Sequence, residues 1–233
     1  MKNLFLTAVI GFSLYNLIAC TEITPPLDSA AQSYQQAVSN AVTVEKNKIP
    51  NNLLAITDSN PDLIWNADKS KILVVTWKDL SVYEKFFKPN HITSGNPEHV
   101  TWVTVAPQVQ KFCQNYLTEN PKADGQQLTL RLKQYLGLNA VWKYDVFIEM
   151  WVSPQDLFRP CVDPETSDSQ CNLHFAEQLP QVKNIPDYAS FYKNLYFKSF
   201  REGSGTPWTG LGYTYDWGNP TSAVGASEFI LSP

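Results

Sequence analysis

The sequence predicts a single α+β domain with a largely antiparallel sheet and several amphipathic helices. Three observations predict it. Strand-length apolar runs and helical stripes are interspersed with no regular strand–helix–strand rhythm and no internal repeat, which argues against a parallel α/β sheet. The clearest strand, Tyr144 to Val152, alternates strictly, as a strand with two different faces must. Hydrophobic residues make up 43% of the chain and charged residues 17%, so there is enough apolar surface to build a packed core and global disorder is excluded.

The elements follow in chain order. Residues 1–19 have the anatomy of an export signal: Lys2 supplies a positive start and Leu4 to Ala19 an apolar core. That core is short beside the roughly 17–25 apolar residues a permanent span needs. Its end, Leu17-Ile18-Ala19-Cys20, resembles the lipobox of bacterial lipoprotein precursors. The resemblance covers about the first twenty residues. It implies cleavage before Cys20, acylation of the Cys20 thiol and usually of the new amino terminus. Two or more acyl chains hold a protein firmly on a membrane, each buried methylene contributing about 0.8 kcal/mol. The resemblance thus implies an exported protein anchored to a bacterial membrane. Thr21, where inner-membrane lipoproteins of Gram-negative hosts often carry Asp, favours the outer membrane in such a host.

Residues 20–27, with Pro25-Pro26, read as the lipidated cysteine and a tether, and residues 28–233 as the domain. An N-terminal helix is expected within 28–48, capped by Asp28 or Ser29, with Ala30, Tyr34, Ala37, Val38, Ala41 and Val42 at helical spacing. It packs on the domain or serves as a stalk. Ile72 to Trp77 and Val100 to Val105 read as strands, and Pro107 opens a helix whose apolar stripe is Val109, Phe112, Cys113, Tyr116 and Leu117. Cys113 lies mid-helix among apolar neighbours, without the cation or helix start that stabilises a thiolate, so it is expected as a core thiol. A second helix spans Gln126 to Leu136, stopped by Gly137.

In the strand from Tyr144 to Val152, Asp145, Phe147, Glu149 and Trp151 share the less apolar face. Ser153-Pro154-Gln155-Asp156 reads as one helical turn, with Arg159 expected to pair locally with Asp156. Cys161 and Cys171 bracket a polar Pro- and Asp-containing loop, a pattern expected to close as a local disulfide in an oxidising compartment. A zinc site there needs two further ligands, and only His174 is close in sequence, so no metal is expected. The loop acids Asp163, Glu165 and Asp168 match no calcium-binding spacing. A further helix runs from about Asp187 to Phe200. The tail packs Trp208, Tyr213, Tyr215 and Trp217 among three glycines, as a turn and a strand or as an aromatic surface that stacks on sugars. Ser227 to Leu231 reads as a last, edge-like strand.

A net charge of −4 and the lack of a basic stripe exclude nucleic acid as a partner. Nucleophile elbows, zinc-protease motifs and phosphate-binding glycine loops are absent from the sequence, and no cofactor is implied. The leading expectation is therefore a non-catalytic binding or assembly module in the cell envelope, with an envelope glycan or protein as its partner besides the membrane. The alternative is an envelope polysaccharide hydrolase drawing a carboxylate pair from Asp145, Glu149 and Asp216, with Trp151 and the tail aromatics lining its cleft.

Overall fold

The computed structural model of the protein describes residues 26–201, 203 and 205–233. The expected export signal, Cys20 and most of the expected tether lie outside them. The elements are α1 (Pro26–Ala41), β1 (Ile72–Lys78), α2 (Leu80–Val82, continued by a π turn at Tyr83–Phe87), β2 (Thr101–Val105), α3 (Ala106–Glu119) and α4 (Gly125–Tyr135). Then come β3 (Val146–Val152), β4 (Leu157–Phe158), α5 (Tyr188–Arg201), β5 (Tyr213–Tyr215), β6 (Val224–Ser227) and β7 (Phe229–Leu231). Five strands form one antiparallel sheet in the order β3-β1-β2-β7-β4, and β5 pairs with β6 in a second, small sheet. This is the α+β architecture expected.

Register explains which side chains meet. Val74 stands opposite Met150 on β3 and Val105 on β2, while Val103 pairs with Phe229. Because side chains alternate across a strand, Ile72, Val74, Val103, Val105, Val152, Leu157 and Phe229 share one face. There they form a core with Ile56 and Leu63 from the irregular segment before β1. The other face takes the helices. Val75 packs with Val109 of α3 and Leu132 of α4, whereas Phe158 and Ile230 pack with Phe191 and Leu195 of α5.

Local chemistry sets the helix ends. Pro107 occupies the first turn of α3, where its missing N–H costs nothing. Asp124 and Gln127 form a reciprocal capping box on α4, and Gly137, at φ +67°, takes the left-handed position that ends it. Helix α1 starts at Pro26, ahead of the expected Asp28 or Ser29 cap, because proline's fixed φ suits a first helical residue. It docks on the domain: Tyr34 is 1% exposed, its ring edge-on to Trp142 and Trp217, and its hydroxyl donates to the Gly205 carbonyl at 3.2 Å.

Several expectations change. Strand β3 starts at Val146 rather than Tyr144, since Asp145 N–H turns to the Lys78 carbonyl. The C-terminal strand is not an edge: β7 lies between β2 and β4, with Phe229 and Ile230 fully buried. A three-residue apolar run carries no mark of how many neighbours it will have; distant strands decide that. Arg159 does not pair with Asp156, which is taken by Lys183. Instead Arg159 is 0% exposed and donates to the carbonyls of Leu54 and Asp168 at 2.9 and 2.6 Å and to the Asp168 carboxylate at 3.2 Å. Cys161 and Cys171 are disulfide-bonded, closing the loop that wraps this guanidinium. Cys113 is half-buried in α3 rather than fully buried, and burial pushes its thiol pKa up.

Candidate functional site

On the helical face of the sheet, α3 and α4 cover one end and α5 the other, and a cavity of about 390 Å³ lies between them. Its floor comes from the sheet, where Val75, Trp77, Trp102 and Thr104 alternate onto this face. Phe191, Leu195 and Ser199 of α5 form one wall. Leu136 to Leu138, just past α4, form the opposite wall with Trp142 and Tyr144. The turn before β5 and β5 itself contribute Trp208, Tyr213 and Tyr215. Glu98 and Lys198 also line the cavity and pair with each other, and Asn194 donates to Glu98 at 3.0 Å. This ion pair is solvent-accessible and marks the mouth.

One acid faces this largely aromatic interior. Glu228 sits at the joint between β6 and β7, on the same sheet face as Ile230 by alternation with Phe229. The joint is held on several sides. Glu228 N–H donates to the Gly212 carbonyl at 2.9 Å, Ser227 N–H donates to Gln108 Oε1 at 3.1 Å, and Ser227 Oγ accepts from Leu54 N–H at 2.7 Å. Gly212 is required where it stands: its φ is +75°, and a Cβ there would meet the Cys171 Sγ at 2.9 Å. The disulfide, the turn and the acid are therefore mechanically linked.

Glu228 borders the cavity and keeps some accessible surface as a residue, yet its Oε2 is shut off from water and has no hydrogen-bond partner among the described residues. The indole Nε1 of Trp208, also in the lining, is likewise buried without a partner. Burial pushes the Glu228 carboxyl from the ordinary 4.5 up to about 8, with no charged neighbour contributing. Buried polar groups are nearly always satisfied in native proteins. Both unpartnered atoms belong to residues that line the same cavity. Tyr144 and Tyr213 are also raised to about 12, first by burial, so both phenols stay neutral.

The carboxylates expected from the sequence lie elsewhere. Asp145 accepts from Leu80 N–H at 3.1 Å and pairs with Lys143 at 3.1 Å. Glu149, four residues along β3 and so about 13 Å away on an extended strand, is exposed and accepts from Gln110 at 3.2 Å. Asp216 is 2% exposed and takes a two-pronged bond from Arg131 at 2.8 and 2.7 Å. None of the three lines the cavity. Of the aromatics named from the sequence, Trp208, Tyr213 and Tyr215 do line it. Trp217 packs on Tyr34 instead, and Trp151 stands 46% exposed on the edge strand β3, opposite Leu73.

Glu228 escaped the sequence reading, although a signal was present: it is a lone acid in the apolar run Ser227-Glu228-Phe229-Ile230-Leu231. Trp77 and Trp102 were legible as strand residues but not as a shared floor. No family model, curated protein or solved structure matches this chain.

Proposed function

We propose that this protein is an exported, lipid-anchored binding protein of the cell envelope, and that its cavity takes a small, largely apolar ligand. The observation that carries the reading is the aromatic-walled cavity of about 390 Å³ with two unpartnered polar atoms, Glu228 Oε2 and Trp208 Nε1, in its lining residues. Concave, mostly apolar pockets with a few convergent polar groups are how proteins hold small molecules. The export and anchoring part of the reading rests on the segment ending at Cys20. Five residues separate Cys20 from α1, a reach of at most about 20 Å from Cys20 to Pro26, so such an anchor holds the domain close to the membrane surface.

Nile red, a neutral dye that brightens in apolar surroundings, tests the cavity directly. The wild-type protein is expected to bind it saturably. Replacing Ser199 on the α5 wall by Trp fills the space and is expected to abolish binding while the thermal melt and far-ultraviolet spectrum stay as in the wild type. Equal binding by S199W, or no saturable binding by the wild type, overturns the reading.

A further inference from the structure

The cavity's polarity is one-sided. It holds one carboxyl in an aromatic setting, and no cation of the protein pairs with that carboxyl among the described residues. Lys198 is tied to Glu98 at the mouth. Lys78, at the end of β1, also borders the cavity; burial lowers its pKa, and it forms no ion pair with Glu228 among the described residues. A buried carboxyl without a partner is costly, and neither lysine of the lining, Lys78 or Lys198, pairs with it among the described residues. The walls themselves are suited to positive charge: aromatic faces carry a negative quadrupole and attract ammonium groups, more strongly where water is excluded. Trp77, Trp102, Trp142, Tyr144 and Trp208 supply such rings in the lining that Glu228 shares.

We infer that the cavity is a site for a small organic cation, an amine or quaternary ammonium with an apolar body, whose positive centre pairs with Glu228 inside the aromatic walls. The inference rests on the binding reading above and specifies its ligand class. A neutral apolar ligand would fill the same space but leave the Glu228 carboxyl without a partner. An anionic ligand would bring like charge to it.

Displacement of Nile red at about pH 8.5, where the carboxyl is largely ionised given its raised pKa, separates the two ideas. The probes are benzyltrimethylammonium and its uncharged carbon isostere neopentylbenzene, which share a shape and differ in charge. The cation is expected to displace the dye, and E228Q to weaken it about tenfold or more while leaving the isostere within about twofold. W142L, which removes a ring but no charge, is expected to act in the same direction on the cation alone and covers the case in which E228Q does not fold. If Nile red binds but the cation does not displace it, or if the variants shift both probes equally, the cation inference falls and the cavity stands. If neither dye nor probe binds, the cavity reading itself falls.

Discussion

Glu228 carries a consequence for stability that is independent of any ligand. Its carboxyl is raised from 4.5 to about 8 in the folded chain by burial. Below the lower value it is protonated in both folded and unfolded states, and its contribution is fully present. Between the two values the unfolded chain has ionised and the folded chain has not. Unfolding then releases a proton, and stability falls as pH rises until the folded carboxyl also ionises. Replacing Glu228 by Gln removes this titration. Thermal melts from pH 5 to pH 8.5 are expected to show a flatter profile for E228Q. Its advantage over the wild type is expected to grow to the order of a few kcal/mol at the alkaline end. Parallel profiles would show that Glu228 ionises normally in the folded protein. Arg159 is a second buried ionisable group and is more fully enclosed, but its terminal guanidinium nitrogens are met by carbonyls and a carboxylate, with only Nε left without a partner among the described residues.

Among the elements, the loop from Cys161 to Cys171 and the β5–β6 hairpin do most to place the site. The disulfide packs with Leu53, Leu211 and Tyr213, and Gly212 passes so near Cys171 that only glycine fits. Thr214 stitches the hairpin to α4: its hydroxyl donates to the Tyr135 carbonyl at 2.7 Å and accepts from Ala226 N–H at 2.8 Å. Removing the bridge with the double variant C161A/C171A is expected to cost about 2–3 kcal/mol in urea unfolding, the amount loop closure gives for a ring of about ten residues. Because the turn that presents Trp208 and Tyr213 leans on the disulfide, Nile red affinity should fall in the same variant under conditions where it remains folded. An unchanged unfolding midpoint would mean that the loop is held by Arg159 alone. Strand β3 is the element whose promise was misread. Glu149 and Trp151 share the helical face of the sheet but stand exposed on its edge strand, and the acids are held by Lys143, the Leu80 amide and Gln110 rather than gathered in a cleft.

At the scale of the whole molecule, one sheet face is sealed by the segment before β1 and the other is roofed by helices set apart from one another, and that gap is the cavity. Among the described residues no helix is long and apolar enough to cross a membrane. Membrane attachment in the proposed function rests on the segment ending at Cys20. Intact mass spectrometry of the full chain, expressed in a bacterial host and extracted in detergent, is expected to show a polypeptide starting at Cys20 and carrying acyl chains. An unmodified Cys20, or a start elsewhere, would remove the anchor from the proposal and leave the cavity untouched.

What the sequence determined by itself was local and periodic. Alternation in Tyr144 to Val152 announced β3, helical spacing announced α1, α3, α4 and α5, and the spacing of Cys161 and Cys171 around a polar loop announced their disulfide. These are legible because periods of 2 and 3.6 residues, caps and short loops are written in neighbouring residues. Only the tertiary structure decided which strands became neighbours, and so that Phe229–Leu231 is interior, that Arg159 turns to Asp168 and not Asp156, and that Asp216 is bound to Arg131. The cavity belongs to the same class. Trp77, Trp102, Trp142, Trp208 and Glu228 come from five separate stretches of chain, and their meeting depends on long-range packing that no local pattern encodes. The lone acid in an apolar strand was visible in the sequence; that its Oε2 would be left without a partner was not, because a partner is a property of the fold.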